Sequence, residues 1–137
     1  MKDYAGSCHC GALRLNFRTA VSPEWWPLRA CQCPFCRHHG AVVTSDPAGE
    51  VAFRWEDPAR IRHYRFGHRT ADFLLCGECG VYVGAISTNS EQVLGVINAR
   101  VFMGLRLKYG CATHMHFDGE TVQAQAERRR KVWTPVR

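Results

Sequence analysis

The sequence predicts a mainly β protein with an antiparallel sheet and one helix near the C-terminus. Short apolar runs dominate the chain, and in one of them Leu13, Leu15 and Phe17 alternate with polar neighbours, as in a half-buried strand. Turn-forming segments such as 46–49, Asp-Pro-Ala-Gly, separate several of these runs. Residues 123–133 are the one segment with a convincing helical pattern.

The other predicted strands follow one another at short intervals along the chain. They are residues 28–31, 41–45, 51–55, 61–66, 72–76, 81–86, 93–98 and 114–117. A length of 137 residues suits one domain with one core. We therefore expect a single domain over residues 1–137, with the motifs in residues 6–117 and a helical tail over residues 118–137.

The composition is that of an ordinary globular protein, with 46% hydrophobic and 22% charged residues. No stretch approaches the roughly 18 apolar residues that a membrane helix requires, and the first residues lack the apolar core of a signal peptide. We therefore expect a cytoplasmic protein with no membrane partner. A reducing compartment disfavours disulfides and favours metal binding or catalysis by the cysteines.

The formal net charge of +6 falls to about +3 when seven ionised thiols and two zinc ions are counted. A modest basic surplus suits small anionic substrates. The basic residues are scattered apart from a run at residues 128–131, so we do not expect nucleic-acid binding. We expect that run to form a solvated face of the C-terminal helix.

Two cysteine pairs, far apart in the sequence, have the spacing of metal ligands. Cys8 and Cys10 are two residues apart, so both side chains point to one face of an extended chain. Cys76 and Cys79, followed by Gly80, form a Cys-x-x-Cys-Gly turn between two apolar runs. Together the pairs can make a closed four-thiolate zinc site, which contributes folding energy by tying the start of the chain to its middle.

A third cluster supplies three cysteines from one loop, Cys31, Cys33 and Cys36, with no fourth in the same stretch. Three protein ligands and one open position are typical of a catalytic zinc site. Spacing alone also allows another grouping, in which Cys31 and Cys33 share an ion with Cys76 and Cys79. Either grouping fits two zinc ions for the seven cysteines.

A zinc site with three thiolates carries a net charge of about −1, which weakens its Lewis acidity compared with a site built from histidines. Such a site is poorly suited to making hydroxide. It suits a soft ligand, so an incoming thiol should be held as a nucleophilic thiolate. The chemistry it favours is addition of a thiol to an electrophile, such as an aldehyde carbonyl, or the reverse.

At these residues the sequence resembles the glutathione-dependent formaldehyde-activating enzyme family, which also includes centromere protein V. Three segments in the family's order carry the resemblance: residues 6–11 with Gly-x-Cys-x-Cys-Gly, residues 31–40 with Cys-x-Cys-x-x-Cys-Arg and a final Gly, and residues 76–80 with Cys-x-x-Cys-Gly. Residues 95–101 depart from the Gly-x-Leu-Asp run of many members. The tail after residue 117 resembles a subgroup described as aldehyde-activating.

The resemblance implies a mostly β, tent-like zinc fold with two zinc ions per chain. It implies a structural zinc on Cys8, Cys10, Cys76 and Cys79, and a labile catalytic zinc on Cys31, Cys33 and Cys36. The implied activity is that of a carbon–sulfur lyase, which joins glutathione or a similar thiol to formaldehyde or another small aldehyde, or reverses that reaction. The alternative is a zinc-stabilised binding module without catalysis, because a shared fold does not ensure a shared function.

Charged side chains near the motifs are candidates for supporting roles. His38 and His39 follow the triple-cysteine loop and could complete the second zinc site or move a proton, although a pair of polar loop residues is the simpler interpretation. Arg37, Arg62 and Arg65 could bind the carboxylates of a glutathione-like ligand. Such arginines more often form a solvated face.

Four further residues are expected to have structural roles. Trp25 and Trp26 could line a pocket, but aromatic pairs in small β proteins usually belong to the core. Tyr82 could donate a hydrogen bond to a developing alkoxide, but we expect it to pack in the core with its hydroxyl at the surface. Cys111 lies outside the clusters and is predicted to be a small core residue.

Overall fold

The computed structural model describes residues 1–137 and contains eleven strands and two α-helices, which confirms the predicted mainly β fold. The strands are β1 (Lys2–Ser7), β2 (Leu13–Thr19), β3 (Arg29–Cys31), β4 (Val43–Thr44), β5 (Glu50–Trp55), β6 (Ile61–Tyr64), β7 (Ala71–Cys76), β8 (Tyr82–Ser87), β9 (Leu94–Asn98), β10 (Thr113–Met115) and β11 (Thr134–Pro135). The helices are α1 (Pro34–His39) and α2 (Val122–Val132).

The first sheet is antiparallel and has three strands in the order β1, β2, β5. Its middle strand, β2, alternates strictly between buried and exposed residues, as its sequence predicts. Leu15 pairs with Phe53 and Phe17 pairs with Val51 on the neighbouring strand, and all four side chains are buried. This sheet therefore supplies one apolar face of the main core.

The second sheet has the strand order β10, β3, β4, β9, β8, β7, β6, and β11 pairs with β9 beside this path. All its pairings are antiparallel except that of β10 with β3. β3 ends at Cys31 and β7 ends at Cys76, so each of the two cysteine clusters includes the last residue of a strand of this sheet.

Trp26 lies at the centre of an aromatic group between the sheets. Its ring centroid is 5.2 Å from that of Phe17 and 5.1 Å from that of Phe102, both in edge-to-face geometry, and each such pair contributes about 0.5–1.5 kcal/mol beyond the area it buries. The indole nitrogen donates to the Val21 carbonyl, so the buried polar group is satisfied. Trp25 is 77% exposed, so the prediction that both tryptophans belong to the core is wrong for Trp25.

Cys111 is exposed, and the prediction that it belongs to the core is wrong. It ends a short 3₁₀ turn, Tyr109–Cys111, which contains no buried residue. A small apolar residue in a surface turn has no sheet or helix face to bury it against. Cys111 lies outside both cysteine clusters.

Three elements were not predicted: β1, α1 and β11. β1 has no alternating apolar pattern, and Gly6 is its one buried residue, with no room for a side chain because an added Cβ would lie 2.8 Å from Val101. α1 is only six residues long, and its signals are Pro34 at the first helical position and Gly40, at φ 56°, just past its end. The long helix is confirmed as α2, capped by the Thr121 side chain.

Candidate functional site

The first cysteine cluster joins the turn after β1 to the turn after β7. The sulfurs of Cys8, Cys10, Cys76 and Cys79 all lie within 4.8 Å of one another. The Sγ atoms of Cys8 and Cys10 are 3.8 Å apart, and those of Cys10 and Cys76 are 3.5 Å apart. Four sulfurs bound tetrahedrally to zinc at about 2.3 Å would be separated by about 3.8 Å. The four cysteines could therefore hold a metal ion such as zinc.

Backbone amides orient the sulfurs of this cluster. The amide of Leu13 donates to Cys8 Sγ at 3.3 Å, and the amide of Cys79 donates to Cys76 Sγ at 3.5 Å. Gly80 adopts φ 79°, so its amide can close the turn by donating to the Cys76 carbonyl at 2.9 Å. These hydrogen bonds help to fix the positions of the two sulfurs within the cluster.

The second cluster is built by the end of β3 and the start of α1. The sulfurs of Cys31, Cys33 and Cys36 also lie within 4.8 Å of one another. Cys33 caps α1, because its Sγ accepts the amide hydrogen of Cys36 at 3.4 Å. Cys36 is buried, whereas Cys31 and Cys33 are half-buried and remain accessible. The structure does not place Cys31 and Cys33 with the later cysteine pair, which was the other grouping that spacing allowed.

The three sulfurs perturb one another strongly. Hydrogen bonds from Cys31 and from Cys36 hold the pKa of the Cys33 thiol far below its ordinary value. Hydrogen bonding with Cys31 and with Cys33, together with burial, raises the pKa of Cys36. Three thiols this close cannot all ionise unless a cation compensates their charge. The donor set thus fits a divalent metal that prefers sulfur, and zinc meets that requirement.

Neither histidine after the triple-cysteine loop belongs to the three-sulfur group. The Nδ1 atom of His38 lies 2.6 Å from the Pro34 carbonyl oxygen, within its own helix. The ring of His39 packs 4.6 Å from the ring of Phe35. Both side chains are exposed, as the simpler interpretation of this pair expected. The three-sulfur group has no fourth protein ligand.

A cavity of about 560 Å³ opens beside the three sulfurs, and Cys31, Cys33 and Cys36 form part of its wall. This volume lies within the range of about 300–1,000 Å³ that small-molecule sites occupy. The apolar part of the wall contains aromatic rings from β7 and its preceding loop, from the chain after β10, and from the residue that ends α2. These rings belong to Phe66, Phe73, Phe117 and Trp133.

The arginines of this cavity are not the ones that the sequence suggested. Arg37 and Arg62 are exposed and do not line it, and Arg65 forms an ion pair with Asp72 at 2.6 Å. The lining arginines are Arg29, Arg128 and Arg129.

The prediction that residues 128–131 form a solvated face is therefore wrong for Arg129, which is 5% exposed. Gln125, Arg129 and Trp133 are spaced by four residues and all line the cavity. That spacing is the helical-face signal that could have located the wall.

Tyr82 packs beside the three cysteines but does not line the cavity. Its ring centroid is 5.1 Å from that of Phe35 and 5.9 Å from that of Phe73. The residue is 2% exposed, so the predicted core packing is confirmed and the predicted surface hydroxyl is wrong. Burial, reinforced by the neighbouring thiols, raises the pKa of this phenol well above its ordinary value and keeps it neutral.

The chain has a mainly β fold with two cysteine clusters that could hold metal ions, and the second cluster opens onto a cavity. The sequence model of the family described as glutathione-dependent formaldehyde-activating enzyme matches residues 3–117. This match spans most of the chain, so the chain belongs to that family, and the resemblance seen in the cysteine motifs is confirmed.

The comparison with solved structures supports the fold. The crystal structure of a protein from Rhodobacter sphaeroides is similar with a TM-score of 0.58 and 23% sequence identity, covering 80% of this chain and 97% of that one. At that identity the likeness shows the fold alone. No curated protein matches the chain. Neither α-helix has the length and apolar character that a membrane span requires.

Proposed function

We propose that this protein is a zinc-dependent carbon–sulfur lyase that adds a small thiol, glutathione or a similar one, to formaldehyde or another small aldehyde, or reverses that addition. In this proposal Cys31, Cys33 and Cys36 hold the catalytic zinc, and Cys8, Cys10, Cys76 and Cys79 hold a structural zinc. One observation carries the proposal: three sulfurs without a fourth protein ligand form part of the wall of a cavity of small-molecule size.

A zinc ion at the three sulfurs would supply the positive charge that keeps a bound thiol ionised at neutral pH. All three cysteines line the cavity, and Cys31 and Cys33 are the more accessible of them, so a ligand would reach the cluster from the cavity side. Phe66, Phe73 and Trp133 line that cavity and limit the access of water.

The proposed reaction balances without an oxidant or a reductant. The thiol loses its proton, and a bond forms between its sulfur and the carbonyl carbon of the aldehyde. The π electrons of the carbonyl move to its oxygen, which takes up a proton from solvent. The product is a hydroxyalkyl thioether, and with formaldehyde and glutathione it is S-hydroxymethylglutathione. The walls of the cavity would hold both reactants close together, which lowers the entropic part of the barrier.

The test compares Cys33→Ser with Cys111→Ser, which removes an exposed cysteine outside both clusters. Thiols add to formaldehyde spontaneously, so the rate is measured by exchange NMR with ¹³C-formaldehyde and glutathione, and the protein-free rate is subtracted. We expect Cys33→Ser to lose one zinc per chain and to fall to the spontaneous rate, with its melting temperature within about 5 °C of the parent. Cys111→Ser should match the parent.

Exchange above the spontaneous rate in a folded Cys33→Ser protein would remove the catalytic role of this cluster. The binding-module alternative predicts a different result for the unaltered chain. In that case the unaltered chain would hold one tightly bound zinc and would give no exchange above the spontaneous rate with any thiol and aldehyde pair.

A further inference from the structure

Arg129 is a buried cation on the wall of the cavity that the three cysteines share. It lies on α2, is 5% exposed, and lines the same cavity as Cys31 and Cys33. Burying a guanidinium is costly unless it is paired and hydrogen-bonded. The contacts of this side chain therefore indicate whether its charge is already compensated within the protein.

Only part of the Arg129 side chain has hydrogen-bond partners within the protein. Its Nη1 atom donates to the carbonyl and to the hydroxyl of Thr70, both at 2.9 Å, and its guanidinium lies 4.5 Å from the ring centroid of Trp133. Its Nε atom is buried and has no hydrogen-bond partner. No carboxylate forms an ion pair with Arg129, so its charge has no counter-ion in contact with it.

The carboxylate of Glu120, which also lines the cavity, is already paired with another arginine. Glu120 accepts two hydrogen bonds from Arg128, at 2.8 and 2.9 Å. The other acidic residue that lines the cavity, Asp118, is exposed and forms no ion pair. Arg128 is thus paired with Glu120, whereas Arg129 has no paired carboxylate and interacts with the charge of Glu120 only at longer range.

A second arginine strengthens the positive field. Arg29 lines the cavity, is half-buried, and has Ser45 Oγ as its hydrogen-bonded partner at 2.5 Å. Burial lowers the pKa of Arg129 to about 10, and burial together with the nearby Arg128 lowers the pKa of Arg29. At neutral pH Arg129 stays protonated, so the cavity keeps this uncompensated cation near a second arginine.

We propose that Arg129, supported by Arg29, is a binding subsite for the carboxylate of a reactant whose thiol or aldehyde group lies at the three cysteines. A carboxylate would supply the missing counter-charge, in the planar geometry that a guanidinium prefers. This inference rests on the proposed function and narrows its substrate class to small acidic thiols or aldehydes.

The principal residue of the subsite would belong to this chain's own tail, whereas Arg29 lies within the part that matches the family. Arg129 and Trp133 lie beyond residues 3–117, the part that matches the family. The cysteines that would hold the metal lie within it. The reaction at the cysteines and the choice of substrate would then depend largely on separate parts of the chain.

The subsite is tested first by binding, without turnover. The zinc-loaded protein is titrated calorimetrically with 3-(methylthio)propanoate and with 3-(methylthio)propan-1-ol, which share a thioether and differ in the carboxylate. We expect the carboxylate to bind at least about tenfold more tightly, because hydrogen bonds to charged groups are the stronger class. Equal affinities in the unaltered chain would overturn the proposal, and this comparison needs no variant.

A pair of variants locates the effect. Arg129→Met removes the charge and keeps an unbranched apolar stem, and Arg130→Met makes the same change at an exposed neighbour on α2. Arg129→Met should lose the tenfold preference, Arg130→Met should keep it, and Arg129→Lys should recover part of it. A preference that survives in Arg129→Met would overturn the proposal. Circular dichroism melts verify that each variant is folded before titration.

Turnover then identifies which reactant carries the carboxylate. Exchange with formaldehyde is compared for 3-mercaptopropionate and 3-mercapto-1-propanol, and exchange with 2-mercaptoethanol is compared for glyoxylate and acetaldehyde. Where exchange exceeds the spontaneous rate, one of the two preferences should depend on Arg129, and turnover in which neither does overturns the proposal. Tight, Arg129-dependent carboxylate binding without any turnover would leave the subsite standing and reject the proposed reaction. Turnover without a carboxylate preference would support the proposed reaction and reject the subsite.

Discussion

The two cysteine clusters differ in how they are joined to the rest of the chain. The four-cysteine cluster brings together Cys10 and Cys76, 66 residues apart, with their Sγ atoms 3.5 Å from each other. The three-cysteine cluster lies within residues 31–36 and is ordered by local contacts at the start of α1. A metal in the first would cross-link distant segments, whereas a metal in the second would mainly bind to a structure that forms without it.

The surroundings of the clusters differ in the same sense. The first cluster has four sulfurs. The second has three, and they open onto the cavity. In the first, the two sulfurs that accept backbone amide hydrogens belong to buried residues, Cys8 and Cys76, whereas in the second the acceptor is the half-buried Cys33. In the proposed function, the additional cysteine separates the cluster that stabilises the fold from the cluster that binds a substrate.

The largest expected effect comes from breaking the four-cysteine cluster. Cys79→Ser should lower the melting temperature by about 15 °C or more or prevent folding, because the binding energy of a closed zinc site is folding energy, and a domain's whole stability is only about 5–15 kcal/mol. Thermal denaturation followed by circular dichroism measures the change, with Cys111→Ser as the matched control. An unchanged melt for Cys79→Ser would show that this cluster does not support the fold.

Stepwise chelation should give a smaller effect and separate the clusters within one sample. EDTA should remove the zinc of the three-cysteine cluster first, since its open side faces the cavity, and this loss should shift the melting temperature by no more than about 5 °C. The second zinc should leave only with unfolding. Metal content by mass spectrometry, sampled against the melting curve, follows both steps. Simultaneous loss of both ions would mean that the clusters are equally exposed or equally structural.

The sequence predicts the clusters well because their ligands are set by local spacing. Short spacing keeps the sulfurs of each pair close together, although Cys8 and Cys10 lie in the turn after β1 and not on the extended chain that the sequence predicted. The grouping of the pairs depends on long-range strand pairing, so spacing left two groupings open. The strand prediction succeeded for the same local reason, and it missed β1, whose edge strand buries only Gly6.

The cavity was not predictable in the same way. Its wall combines β3, the chain before β7, the segment after β10 and α2, which are brought together only by the tertiary fold. Arginines close to the cysteines in sequence, such as Arg37, lie outside it, whereas Arg129, almost a hundred residues away, lies inside. Only the four-residue spacing of Gln125, Arg129 and Trp133 on one helix carried that information locally.

The smallest expected effect concerns the ion pair between Arg128 and Glu120, which line the cavity beside the three-cysteine cluster. The hydrogen bonds from Arg128 lower the pKa of Glu120 below its ordinary value of 4.5. Because the folded state favours the ionised carboxylate, this pair stabilises the fold at every pH above 4.5, and the contribution fades as the pH falls below that value. Glu120→Gln should therefore cost about 1–2 kcal/mol at neutral pH.

Urea denaturation between pH 7 and pH 4 measures this contribution as the difference between the parent and Glu120→Gln. Glu127→Gln is the control, since its ion pair with Lys131, at 3.8 Å, is exposed on the same helix and should contribute little. The difference for Glu120 should stay constant down to about pH 5 and narrow only below it. A difference that narrows already near neutrality would mean that Glu120 is not held ionised by Arg128. Glu120 would then be protonated near neutrality, and Arg128 would add a second unpaired positive charge to the cavity, which would set it further apart from the closed cluster.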